Sequence, residues 1–161
     1  MAPIHTILCP TDFSDRSTYA LQLAASLARD YSARLVLLHA ALPTPIVYGE
    51  GVVPLEPDSF LEEARDRLAH VAIPGANIPA ERRLEEGDAA NTILRVAGEI
   101  HADLIVMGTH GRTGLGRLLM GSVAEQVVRK STCPVLTVKT PILASAPQTT
   151  TAEELVTTHA L

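Results

Sequence analysis

Short apolar runs alternate with amphipathic stretches along most of the chain. Residues 4–9 are apolar and partly β-branched, stop at Pro10, and predict a buried strand. Ser14 and Asp15 then offer helix-capping side chains. Ala20, Leu23, Ala24, Leu27, Ala28 and Tyr31 follow at the spacing of one helical stripe. Residues 34–40, Arg-Leu-Val-Leu-Leu-His-Ala, predict a second buried strand. The span 41–57 holds four prolines and two glycines and reads as a long loop. Asp58 or Ser59 caps a second helix with Leu61, Ala64, Leu68 and Val71 inward, and Pro74-Gly75 ends it. Residues 80–86 are more polar and predict an edge strand. Gly87-Asp88 opens a third helix with Ile93, Leu94, Ala97 and Ile100 inward. Residues 103–107, Asp-Leu-Ile-Val-Met, form a continuous buried strand. A glycine-rich segment precedes a fourth helix that buries Val123, Ala124, Val127 and Val128, and Pro134 to Lys139 supply the last strand.

Continuous apolar strands alternating with helices indicate a parallel sheet covered on both faces. Right-handed crossovers then give a doubly wound α/β domain. The sheet is complete by residue 139. Residues 140–161 are rich in Pro, Ala, Thr, Ser and Gln before Glu153-Glu154-Leu155-Val156, and read as a flexible tail with room for a short terminal helix.

Composition narrows the class. At 47% hydrophobic and 19% charged residues, the chain can bury a core. With no Trp, two Phe and three Tyr, that core must be aliphatic. No apolar run approaches the ~18 residues of a membrane helix, and the N-terminus lacks the basic start of a signal peptide. Cys9 and Cys133 make neither a disulfide framework nor a zinc spacing and read as small hydrophobes. A cytoplasmic protein without membrane attachment is expected. The formal charge of −5 argues against a nucleic-acid partner. Its distribution is uneven: residues 1–107 carry 8 basic and 15 acidic groups, whereas residues 108–139 carry 5 and 1. Five of the ten glycines fall between Gly108 and Gly121 in that basic stretch, which points to a local anion site.

The glycine-rich segment leaves the carboxyl end of a central strand and enters a helix, the edge where open α/β sheets bind ligands. Glycines let backbone amides approach an anion. Ser122-Val123-Ala124-Glu125 has the form of a capping box starting the helix at Ser122, and the helix N-terminus presents free N–H groups to a phosphate. Ser122 can offer its hydroxyl, and Arg112 and Arg117 add charge, so a triphosphate is the natural occupant. A Walker motif fails because Arg117-Leu118 stands where Lys-Ser/Thr is needed. The dinucleotide fingerprint fails because Leu119 follows Gly114-Leu115-Gly116 at the third glycine position.

Gly108-x-x-Gly111, nine residues, then Gly121-Ser122 resembles the G-2x-G-9x-G-[ST] signature of the ATP-binding branch of the universal stress protein family. Pro10-Thr11-Asp12-Phe13-Ser14, Leu37-Leu38-His39-Ala40, residues 103–111, 121–125 and 133–138 resemble that family's strand ends and closing helix, in order. The resemblance covers roughly residues 3–139. It implies a five-stranded sheet of order 3-2-1-4-5, Rossmann-like and akin to the adenine-nucleotide α-hydrolase group. It also implies ATP, with magnesium or manganese bridging the phosphates. By the same resemblance, Pro10, Thr11 and Asp12 meet the nucleoside, with Asp12 accepting from ribose hydroxyls. Ala40 offers backbone groups to the adenine edge, and Met107 and Gly108 line the ribose side. Gly111, Arg112, Gly121, Ser122 and Val123 surround the phosphates. It further implies a homodimer through the last strand, Pro134 to Lys139.

Remaining polar residues have plainer readings. His39 is a buried, hydrogen-bonded structural residue. His110 is a solvent-facing loop residue, though the best candidate for a base. Asp88 is a helix cap, and Glu62-Glu63 and Glu85-Glu86 are solvated charge. A nucleotide-dependent regulator in stress response is the expected function. A slow ATPase or nucleotidyl or phosphoryl transferase is one alternative, and a structural dimer module with an empty pocket is another.

Overall fold

A computed structural model describes residues 3–42, 46–48, 51–53, 57–75, 77–109 and 120–139. The elements run β1 (Thr6–Pro10), α1 (Asp15–Tyr31), β2 (Arg34–Ala41), β3 (Ile46–Tyr48), β4 (Gly51–Val53), α2 (Pro57–His70), β5 (Ala80–Glu86), α3 (Ala89–Glu99), β6 (Leu104–Gly108), α4 (Ser122–Lys130) and β7 (Val135–Val138). Five strands form one parallel sheet in the order β5-β2-β1-β6-β7. Counting only these strands along the chain, the order is 3-2-1-4-5, as expected. The span 41–57 differs from the expected loop: β3 and β4 pair there as a small antiparallel hairpin, Val47 opposite Val52. Ile46-Val47 and Val52-Val53 have strand propensity, and the prolines in the sequence around them hid it. The tail, residues 140–161, lies outside the described residues.

Alternation along the strands divides the core. Ile7, Cys9, Leu35, Leu37, Val106 and Val138 face α1 and Leu68 of α2. Leu8, Val36, Leu38, Ile105 and Met107 face α3 and α4. Leu8 sits opposite Val36 on one side and Ile105 on the other, and all three are fully buried. Each such side chain contributes roughly 1.5–3 kcal/mol by leaving water. The sheet-facing stripe of α1 is Ala20, Ala24, Ala25 and Ala28 with Leu21, small enough to let the helix lie close on the strands. Burial pushes the Cys9 thiol up to about 12, so it packs as an inert hydrophobe.

Side-chain caps fix where the helices begin. Ser14 accepts from the Ser17 amide at the start of α1, and Ser32 closes its far end in a left-handed conformation (φ 54°). Asp88 accepts from the Asn91 amide at 3.0 Å and opens α3, as expected. Helix α2 begins at Pro57, ahead of the expected Asp58 or Ser59, in keeping with proline's fitness for a first helical turn.

At the amino end of the sheet, Asp103 Oδ2 accepts from the His5 and Thr6 amides at 2.8 and 2.9 Å, tying the start of β6 to β1. These two bonds hold its carboxyl below the usual carboxylate range. The β5 edge carries a ring of charge. Arg83 pairs with Glu85 (2.6 Å) and Glu99 (2.5 Å), and Arg95 with Glu85 (2.9 Å) and Glu99 (2.6 Å). Glu85 is therefore a half-buried partner of two arginines rather than solvated charge, because β5 and α3 bring both guanidinium groups to it. Glu86, Glu62 and Glu63 are exposed, as expected.

Gly87 links β5 to α3 at φ 137°, with its amide donating to Ala41 O at 3.0 Å. A Cβ there would stand 2.9 Å from Thr92 Oγ1, a buried side chain. Gly87→Ala should cost about 1–3 kcal/mol, read as a lower urea midpoint at unchanged slope; an unchanged midpoint contradicts the strain.

Candidate functional site

Strand β1 ends in a turn built by side chains. The Thr11 amide makes the last rung to Leu38 O at 2.8 Å, and the chain then leaves the sheet. Thr11 Oγ1 accepts from the Phe13 amide at 3.1 Å and lies 3.0 Å from Ser17 Oγ. Asp12 Oδ1 accepts from the Ser14 amide at 3.1 Å and from the Ser14 hydroxyl at 2.6 Å. This short-range bonding is what Asp, Ser and Thr do at turns. Phe13 adopts φ 63°, a left-handed conformation uncommon for a bulky residue, at a cost of roughly 1–3 kcal/mol.

Burial pushes the Asp12 carboxyl up, but the Ser14 hydroxyl and amide, helped by Ser17 and its own amide, hold it below its ordinary 3.8. It is a carboxylate at neutral pH. Its Oδ2 is buried and has no hydrogen-bond donor among the described residues, an arrangement that costs free energy unless something else supplies one.

Strand β2 ends beside this turn. Leu38 O faces β1 and Ala41 O faces β5, where it accepts from Gly87. Alternation along the strand therefore directs the Ala40 amide and carbonyl toward the β1 side, past the last β1 rung. The Thr11 carbonyl, which a continuing β1 would offer to Ala40, is taken instead by His39 Nδ1 at 2.8 Å. A carbonyl only accepts, so that bond puts a proton on Nδ1.

Strand β6 ends at Gly108, opposite Val138 of β7. The Thr109 amide donates to Val138 O at 3.1 Å, and its carbonyl accepts from the Gly121 amide at 2.7 Å. These bonds place the start of α4 directly beside the end of β6. The helix begins at Ser122, as expected, but the capping box does not form. Gly121 takes the capping position (φ −61°, ψ 150°), its carbonyl accepting from Glu125, and no side chain among the described residues caps this end. Ser122 is already inside the first turn, one place too late to cap, so its hydroxyl is not spent on the helix. The first-turn amides of Ser122, Val123 and Ala124 have no partners within the helix.

These three ends enclose a cavity of about 250 Å³. Nine of the eleven expected site residues line it: Pro10, Thr11, Asp12, Ala40, Met107, Gly108, Gly121, Ser122 and Val123. The other two, Gly111 and Arg112, lie outside the described residues, as does His110. Ser17, Leu38, His39, Ala89, Ile93, Thr109 and Ala124 also line it. Thr109 and Ser17 neighbour the motif residues in sequence and could have been found there. Ala89 and Ile93 reach the cavity only because α3 crosses this end of the sheet. His39 is hydrogen-bonded, as expected, but half-buried rather than buried, and it faces the cavity.

A doubly wound parallel sheet with a cavity outside the strand ends, where the order reverses, defines a Rossmann-like protein. The model of the universal stress protein family matches residues 3–139, and the chain belongs to that family. A universal stress protein of Methanocaldococcus jannaschii is 38% identical over 139 residues, 84% of this chain and 82% of that protein. Two solved structures add nucleotides to the comparison. One is a universal stress protein of Archaeoglobus fulgidus in complex with dAMP (TM-score 0.62, 26% identity, 86% of this chain and all of that one). The other is a universal stress protein in complex with cAMP (TM-score 0.59, 29% identity, 87% of this chain and all of that one). Among the described residues, no helix is long and apolar enough to cross a membrane.

Ser14 both caps α1 and donates to Asp12. Ser14→Ala should cost about 1 kcal/mol and move the Asp12 carboxyl up toward its ordinary value. The wild-type carboxyl is depressed on folding, so it adds stability above about pH 4 that is lost as the pH falls through the folded value. In the variant this acid-side loss shrinks. Carboxyl NMR titration checks it, and an Asp12 curve unchanged by the substitution contradicts the assignment.

Proposed function

We propose that the chain binds an adenine nucleotide in this cavity, with ATP as its ligand, and serves in stress response through nucleotide-dependent regulation. One observation carries the proposal: a carboxylate oxygen and a helix N-terminus, with neither a donor nor a side-chain cap among the described residues, line the same cavity. A ribose hydroxyl donates to Asp12 Oδ2, and phosphates accept from the amides of α4. The base lies against Met107, Ile93 and Val123, with its edge on the Ala40 amide and carbonyl. The nucleotide complexes of two related structures support the same reading. Gly111 and Arg112 complete the phosphate side by family resemblance.

Among the described residues no cluster of three His, Cys, Asp or Glu side chains could hold a metal. The fitting arrangement is magnesium or manganese carried on the phosphate oxygens with few protein ligands. The homodimer forms through β7, whose outer edge has no strand partner among the described residues and whose Leu136 is 37% exposed. The cytoplasm is the compartment in keeping with this role.

Native mass spectrometry of gently purified protein tests ligand and assembly together. A dimer carrying two adenine nucleotides is expected. Gly121 has an ordinary backbone conformation (φ −61°, ψ 150°) that valine can adopt, and it lines the cavity. Gly121→Val should retain the dimer and weaken ATP binding at least about tenfold by calorimetry. No measurable wild-type binding at millimolar ATP with magnesium would falsify the proposal.

A further inference from the structure

The Asp12 turn is held from outside the cavity. Phe13, the residue after Asp12, sits in the left-handed region that bulky side chains avoid. Its amide is bound by Thr11 Oγ1. Its ring centroid lies 4.3 Å from that of His39, tilted by 41°, and His39 in turn donates to Thr11 O. The guanidinium of Arg67, on α2, lies over the same ring at 4.3 Å. A cation on an aromatic face is attracted by the ring's negative quadrupole. The contacts therefore run from α2 through Arg67, Phe13 and His39 to the hydroxyl and carbonyl of Thr11, and so to the backbone that aims Asp12. Neither Phe13 nor Arg67 is among the described residues that line the cavity.

We propose that Phe13, clamped by Arg67, is a positioning residue that sets the selectivity of the site for the ribose hydroxyls. The strained turn persists because its surroundings over-determine it. Releasing the ring lets the backbone relax and carries Asp12 Oδ2 away from the sugar. The base and phosphate contacts, made by β2, α3, β6 and α4, stay in place. Discrimination at the sugar falls while the rest of the affinity remains. The proposal rests on the adenine-nucleotide reading of the cavity, and its test has one arm that does not.

The first arm measures affinities of ATP, 2′-deoxy-ATP and 3′-deoxy-ATP, with magnesium, on the full chain. Wild type should lose about tenfold or more on removal of whichever hydroxyl Asp12 meets. Phe13→Ala lacks the ring but keeps the Cβ that disfavours this backbone conformation, and should bind ATP and that deoxy analogue within about twofold of each other. Arg67→Met should lie between, and Phe13→Tyr should restore the wild-type ratio. Equal weakening of all three ligands in Phe13→Ala overturns the proposal, since that is what a merely structural residue would do.

The second arm needs no ligand. Exchange of the Phe13 amide should quicken about tenfold in Arg67→Met, with the Ile7 and Leu8 amides of β1 unchanged. Unchanged Phe13 exchange overturns the clamp whatever the nucleotides do. Failure of wild type to bind any of the three overturns the nucleotide reading instead.

Discussion

Two neighbouring strands, β1 and β6, send their following helices to opposite faces of the sheet, α1 to one and α4 to the other. No single helix can then cover both strand ends, and a cleft opens between them. Right-handed crossovers dictate this divergence once the strand order reverses. The rest of the site follows from it. Asp12 stands at the end of β1, Ala40 at the end of β2, Gly108 at the end of β6 and Ser122 at the start of α4. They are far apart in the chain and meet because their elements end at one place.

The cavity is chemically graded. At one side a carboxylate, held ionised by Ser14, has one oxygen without a donor among the described residues. At the other, Gly121 leaves the first amides of α4 uncapped. Between them lie Met107, Ile93 and Val123. No lysine or arginine is among the described residues that line it, so anion binding on this part of the wall falls to backbone dipoles, which need no ion to be desolvated. An acid for hydroxyls, an apolar slot and an amide-rich helix end match the three parts of a nucleotide. The Thr109 bonds to Val138 and Gly121 tie this end of the site to the edge strand β7.

Much of this was legible in the sequence because it depends on local periodicity and turn chemistry. The buried strands were marked by runs such as Leu35 to Leu38, α1 by Ser14 with its alanine stripe, and the site by Asp12 and the glycine spacing. The strand order came from family resemblance, since periodicity does not say which strands are neighbours. Other features depend on tertiary contact and left no local trace. The capping box of Ser122 and Glu125 misled because its form does not say which residue is the half-in one; Gly121 took that place. Glu85 looked like solvated charge until β5 and α3 brought Arg83 and Arg95 to it. The hairpin of β3 and β4 was masked by prolines, and Ile93 reached the cavity only through the packing of α3.

Backbone amide shift mapping with ATP and magnesium asks whether the strand-end cavity is where an adenine nucleotide binds. Saturable shifts are expected at Thr11, Ala40, Gly108, Ser122 and Val123, with the β5 edge around Arg82 unmoved. Shifts absent from those residues, or confined to the outer surface of α1 and β7, would contradict that binding site.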